Sequence, residues 1–275
     1  MRIAVLGLGR MGSPISRGLE RAGYDVIGWD PQHRKDPVAD AVASADLVMT
    51  VLPGSAEIAE AMPGVFAAMR PGTLWVDLTS SDPSVIERLE ASAPGAVVGA
   101  PMGGGPAAAD AGTLHFFVGA DADALARARP LLETLGTVDH VGVTVTAGYT
   151  AKLLVNLLWF GQVVAVSEAL LLGQAAGLAP RELARVLKSS AAGSTFLDEY
   201  VDRLLDGDYA ETFGIDRVVE ELDILVGLAA RYDVPFELST QVTRLHREAV
   251  ERFGAIDGEM LAAKLLEQRA GRDLR

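Results

Sequence analysis

Cysteine is absent from the 275 residues, which excludes disulfides, thiolate metal sites and a catalytic thiol. Histidine and lysine are scarce, with four of each: His33, His115, His140 and His246, and Lys35, Lys152, Lys188 and Lys264. His115 and His140 have no second ligand at metal spacing and read as strand or edge residues, so no metal site is expected. No G-x-S-x-G or Ser/His/Asp arrangement supports hydrolase chemistry. Basic runs are missing too: 24 basic residues stand against 37 acidic ones, a net charge of −13, a poor match to nucleic acid or an anionic membrane. Only Met1 and Arg2 precede the first apolar run, so no leader and a cytoplasmic location are expected. The longest apolar region, residues 153–173, carries Asn156, Gln162 and Glu168 and reads as a helix buried inside protein.

At 49% hydrophobic and 22% charged, the composition is that of a globular chain with a sizeable core. The first half alternates short apolar runs with helical stretches. "RIAVLG" (2–7), "DVIGWD" (25–30), "LVMTVLP" (47–53), "TLWVDLTS" (73–80), "AVVGAPM" (96–102) and "LHFFVGA" (114–120) read as strands. "DHVGVTV" (139–145) reads as a last short one. Apolar runs separated by helices predict an α/β, largely parallel, doubly wound sheet with ligands at the carboxyl ends of its strands. After about Thr146 helical periodicity takes over, which predicts domains at 1–146 and 147–275, the second all-helical. Residues 148–177 read as one long helix, and further helices are expected at 178–190, 194–206, 212–232, 236–253 and 257–269.

The stretch Gly7-Leu8-Gly9-Arg10-Met11-Gly12 follows the first strand and opens a helix. In that context Gly7 lets the chain turn, Gly9 lets backbone approach a pyrophosphate, and Gly12 lets helix and strand pack closely. Helix amides and dipole then face the phosphates. Asp30, at the end of the second strand, is placed to accept the adenosine ribose hydroxyls and to repel a 2′-phosphate, which favours NAD over NADP. His33, Arg34 and Lys35 follow closely and read either as a solvated loop or as a partial offset to that repulsion.

Lys152 lies in "GYTAKLLVNLLWF", among the most apolar helical residues of the chain, with Asn156 one turn later and Gly148 one turn earlier. It reads either as a lysine snorkelling from the helix or as the group that moves a proton. Hydride transfer to or from an alcohol needs an acid or base. Low-dielectric walls and a cationic nicotinamide would lower the pKa of such a lysine.

Taken together, these segments resemble the β-hydroxyacid dehydrogenases, the family of 3-hydroxyisobutyrate dehydrogenase and tartronate semialdehyde reductase, related to 6-phosphogluconate dehydrogenase. "GLGRMG" (7–12) resembles the family's opening motif, and "VLPGSAEI" (51–58) its cofactor-lining loop. "VDLTSSDP" (76–83) resembles the segment whose hydroxyl, here Ser80, lies near the nicotinamide. "GAPMGGGPAAADAGTL" (99–114) is similar to the substrate loop, and "GYTAKLLVN" (148–156) to the segment with the catalytic lysine and asparagine. The resemblance covers nearly the whole chain. It implies a Rossmann domain followed by a helical domain with an active site in the cleft between them, and an NAD(P)-dependent oxidoreductase acting on a small hydroxyacid or aldehyde. Leu52, Pro53 and Ser80 would line the nicotinamide, Gly103, Gly104 and Gly105 would bind the substrate's polar end, and Lys152 and Asn156 would be catalytic.

The chain departs from the family pattern at three places, four residues in all. Gly103 replaces a serine, Thr146 replaces a glycine, and Glu220-Glu221 stands where a Lys-Asp pair is usual. Glu220 either faces substrate, disfavouring a small anion, or turns to solvent. Two other readings stay open: an imine reductase-like enzyme acting on a less anionic substrate, and a non-catalytic dinucleotide-binding protein. The apolar helices predict a homodimer or higher homo-oligomer with a small-molecule substrate, without nucleic acid or membrane partners.

Overall fold

The computed structural model describes residues 1–32 and 36–275. The chain divides into two compact units, Met1–Lys152 and Leu153–Arg275.

The first unit alternates β1 (Arg2–Leu6), α1 (Gly12–Arg21), β2 (Asp25–Trp29), α2 (Val38–Val42), β3 (Leu47–Thr50), α3 (Ser55–Ala68), β4 (Leu74–Asp77), α4 (Pro83–Glu90) and β5 (Val97–Gly99). It continues through β6 (Met102–Gly103), α5 (Pro106–Ala111), β7 (Leu114–Gly119), α6 (Ala122–Leu132) and β8 (Gly136–Gly142). The sheet order is β2-β1-β3-β4-β5-β7-β6, with β8 also paired to β7. Strands β2, β1, β3, β4 and β5 are mutually parallel. The apolar runs are continuous because both faces are covered. Ile3 and Val5 join one buried cluster, with Met49 and Val76, while Ala4 and Leu6 join another, with Val48 and Trp75.

The sheet is mixed rather than parallel throughout. β7 runs antiparallel to β5 and β6, and β8 is parallel to β7. The connection from β6 to β7 holds only the six-residue helix α5, too short for a parallel crossover, whereas α6 supplies a full crossover between β7 and β8. β8 begins at Gly136, three residues before the expected run, and ends at Gly142. Val145, expected to close that strand, is instead the first residue of α7 (Val145–Ala175).

The second unit, entered along α7, is helical: α8 (Pro180–Lys188), α9 (Thr195–Glu199), α10 (Val201–Leu205), α11 (Ile215–Arg231), α12 (Glu237–Phe253) and α13 (Leu261–Ala270). The helix expected at 194–206 is two short ones, broken at Tyr200. By length and composition α7 is apolar enough to cross a membrane, with mean hydropathy 1.6 in its most apolar stretch, 44% of which is buried. It is therefore not enclosed in the way its apolarity suggests. Phe160, Val163, Val164 and Leu170 enter the core of the second unit, while Leu154, Val155 and Leu158 are exposed. Apolar residues on all sides of a helix outnumber the one face its neighbours cover.

Candidate functional site

The order β2-β1-β3 places the topological switch point of the sheet between β1 and β3. Both carboxyl ends there lead into motif segments. Gly7 has φ of +96°, and a Cβ on it would lie 2.3 Å from Val51 O. A Cβ on Gly12 would lie 1.8 Å from Gly7 O, so the turn closes only with glycine at both positions. Beside Gly9 there is open space. The tight turn expected at Gly7 and the close packing expected at Gly12 are both present in the geometry. Arg10 is exposed, and Leu8 and Met11 are half-buried. Asp30 is buried; its Oδ2 accepts the Leu8 amide at 2.8 Å and its Oδ1 the Gln32 amide at 2.8 Å. This carboxylate therefore helps to fix the glycine turn. His33, Arg34 and Lys35 lie outside the described residues. Among the described residues, the hollow beside β2 is lined by Trp29, Asp36, Pro37 and Asp40 among others.

The loops after β3 and β4 are cross-linked. Leu52 N donates to Thr79 Oγ1 at 3.1 Å, and Ser55 Oγ accepts from Asp82 N at 2.9 Å. Leu52 and Ser80 are half-buried, and Pro53 is exposed. Beneath these loops lies Asp77, fully buried at the end of β4. Asp77 Oδ1 accepts from Thr50 Oγ1 at 2.5 Å and from Thr79 N at 3.2 Å, and its Oδ2 accepts from Tyr149 Oη at 2.6 Å. Thr50 Oγ1 also accepts from Trp75 Nε1 at 2.9 Å. Burial pushes the Asp77 acid up to about 6, against the opposing effect of Thr50, Tyr149 and Thr79.

Gly103 belongs to the two-residue strand β6 and pairs with His115 of β7. Gly104 has φ of +98° and Gly105 caps α5; both are exposed, leaving backbone as the means of recognition in this loop. His115 Nε2 meets Asp139 Oδ2 at 2.7 Å on the exposed surface, so it is paired rather than isolated. His140 Nε2 lies 2.9 Å from Ala120 O.

Lys152 and Asn156 are half-buried and stand one turn apart on α7. Asn156 Nδ2 donates to Glu221 Oε2 at 2.5 Å, and Glu221 is buried. Glu220, the residue singled out from sequence, is half-exposed and pairs with Arg217 at 2.8 Å along α11. The carboxylate that meets Asn156 is therefore its neighbour. The sequence argument did not single out Asp77, Tyr149 or Glu221. An acid ending a buried strand and a tyrosine three residues before the lysine were the available signals.

A doubly wound sheet with a glycine turn at its switch point, followed by a helical unit, defines a dinucleotide-binding oxidoreductase. The family model for the NAD binding domain of 6-phosphogluconate dehydrogenase matches residues 2–148. That for the NAD-binding region of NADP-dependent 3-hydroxyisobutyrate dehydrogenase matches residues 146–266. An NAD-dependent L-serine dehydrogenase of Pseudomonas aeruginosa is 36% identical over 218 residues, 72% of this chain and 73% of that protein. The solved structure of Mycobacterium tuberculosis 3-hydroxyisobutyrate dehydrogenase with L-serine superposes with a TM-score of 0.87 at 27% identity, covering 96% of this chain and 98% of the other. The chain belongs to the β-hydroxyacid dehydrogenase family and is an NAD(P)-dependent dehydrogenase of CH–OH groups. An imine reductase from Pseudomonas sp. shares the fold alone, with a TM-score of 0.56 and 20% identity over 98% of this chain and 99% of that one.

Proposed function

We propose that the protein interconverts a small β-hydroxy acid and its carbonyl product, with NAD as the preferred cofactor and Lys152 as the acid–base group. The supporting observation is that Lys152 closes the same compact unit that holds the glycine turn. Gly7, Gly9 and Gly12 would cradle the pyrophosphate, Asp30 would take the ribose, and Leu52, Pro53 and Ser80 would flank the nicotinamide. When bound, the nicotinamide supplies the hydride chemistry. Lys152 takes the hydroxyl proton in oxidation and returns it in reduction. Amides of Gly103, Gly104 and Gly105 bind the carboxylate, and Asn156 orients the hydroxyl or the lysine.

The NAD preference rests on Asp30, supported among the described residues by Asp36 and Asp40 beside β2, carboxylates unfavourable to a 2′-phosphate. The Asn156–Glu221 hydrogen bond puts a carboxylate against a candidate site residue, and no lysine precedes it, since Glu220 takes the place of the Lys in the family's Lys-Asp pair. That charge favours a substrate with little net negative charge, so zwitterionic L-serine is preferred to 3-hydroxyisobutyrate. Exposed Leu154, Val155 and Leu158 share one stretch of α7 and support burial against a second copy. Light scattering should give the mass of a dimer or higher oligomer, and cell fractionation should place the enzyme in the cytoplasm. Turnover of both acids with NAD and NADP, followed by absorbance, tests the main reading. Absence of turnover with all four pairs, despite NADH binding, would overturn both acids as substrates and point to a different hydroxy acid.

A further inference from the structure

Asp77 takes no part in the proton transfer assigned to Lys152, yet it joins three segments of one unit. Through Thr50 it holds β3, through Thr79 the loop bonded to Leu52, and through Tyr149 the first turns of α7. A buried carboxylate is costly, and a well-packed apolar group can often replace a buried ionic one without loss of stability. The polar arrangement therefore points to a role besides packing. The same turns of α7 rest directly on sheet backbone. A Cβ on Gly148 would lie 2.4 Å from Phe117 O and 2.7 Å from Gly99 O. That approach sets the height of α7 above the sheet, and the Tyr149 hydroxyl then sets its rotation. Lys152 lies three residues on, at the position that helical geometry brings beside Tyr149.

We propose that Asp77 is a positioning residue for Lys152, fixing the lysine's helix and the Leu52 loop in one frame. The inference rests on the assignment of proton transfer to Lys152. Near neutral pH the Asp77 carboxylate accepts all three hydrogen bonds, and burial keeps the Tyr149 hydroxyl protonated as a donor.

Tyr149→Phe removes the hydroxyl and keeps the ring. With NAD and L-serine or 3-hydroxyisobutyrate, kcat should fall about 10- to 100-fold, the scale of misplaced catalytic groups. KM and the NADH Kd should change by less than about three-fold. Added to Lys152→Ala, the same change should lower kcat no further, because it acts only through the lysine. A readout independent of turnover uses reductive methylation with ¹³C-formaldehyde, which labels the four lysines and the amino terminus. The Lys152 signal, assigned by its loss in Lys152→Arg, should move in Tyr149→Phe while those of Lys188 and Lys264 stay. Asp77→Asn should move it as well, and serves if Tyr149→Phe does not fold. An unmoved Lys152 signal, or a further loss of kcat in the double variant, overturns the proposal. Undiminished kcat in Lys152→Ala overturns the proton-transfer assignment instead, with the lysine signal still deciding whether Asp77 sets that side chain's place.

Discussion

Asp77 in the first unit and His246 in the second are both buried out of contact with solvent, but they are supported differently. Asp77 accepts from a strand, a loop and a helix. His246 Nδ1 donates to Val242 O at 2.8 Å, its Nε2 has no partner among the described residues, and the ring lies 5.7 Å from Phe160. Burial disfavours the charged form of each, raising Asp77 to about 6 and lowering His246 to about 4. The buried polar group of the α/β unit is therefore embedded in a network beneath the loops after β3 and β4. Its counterpart in the helical unit is an isolated neutral imidazole in an apolar core. The difference fits the positioning role proposed for the first and a purely structural place for the second.

The sharpest way to break that comparison is through turnover. Lys152→Ala should lower kcat about 10²- to 10⁴-fold while leaving NADH affinity nearly intact, as measured by calorimetry and steady-state rates. A loss of that size in His246→Phe would erase the distinction. Next in size is the cradle. Gly12→Ala forces a Cβ into the Gly7 carbonyl, which should cost about 1–3 kcal/mol of stability, seen in thermal melts. The same change should weaken NADH binding by roughly 100-fold, about 2.7 kcal/mol.

Acid should act on the two units in opposite directions. Between pH 6.5 and 4 the unfolded chain protonates His246 and the folded chain does not, so the helical unit loses roughly 3 kcal/mol as pH falls. Between pH 6 and 3.8 folded Asp77 binds a proton that the unfolded chain lacks, so its contribution to the α/β unit rises by a similar amount. Amide exchange in α12 and in β4, followed across this range, should diverge. His246→Phe should flatten the α12 response, and Asp77→Asn the β4 response.

Smaller effects refine the site. NADH should bind more tightly than NADPH by about 1–3 kcal/mol, the scale of one charge conflict at Asp30. Equal affinities by calorimetry would remove Asp30 from the choice of cofactor. Smallest is Glu220→Gln, which loses only a half-exposed i,i+3 pair worth about 0.3–0.5 kcal/mol. Its kcat/KM should stay within about two-fold, or roughly 0.4 kcal/mol, whereas Glu221→Gln should shift the preference between L-serine and 3-hydroxyisobutyrate.

The parts of the candidate site that were legible in the sequence are those whose requirements are local. Gly7 and Gly12 are dictated by the backbone geometry of one turn, Gly9 is legible only as part of the G-x-G-x-x-G spacing, and Asp30 is marked by its place at the end of β2. Lys152 stood out because a lysine in an apolar helix is costly. Asp77 and Tyr149 are separated by 72 residues and meet only through the docking of α7 on the sheet. Glu221 rather than Glu220 meets Asn156 because helix rotation, invisible to a two-residue motif, turns adjacent side chains about 100° apart.

The sequence by itself determined the alternation of strand and helix, the change to an all-helical second half and the glycine turn, since periodicity and steric demand act over a few residues. Tertiary structure decided the reversed strand β7, the early start of β8, the break at Tyr200 and the network around Asp77. Those outcomes depend on which distant groups can satisfy a buried backbone amide, a carboxylate or an apolar face, and only the packed chain supplies these partners.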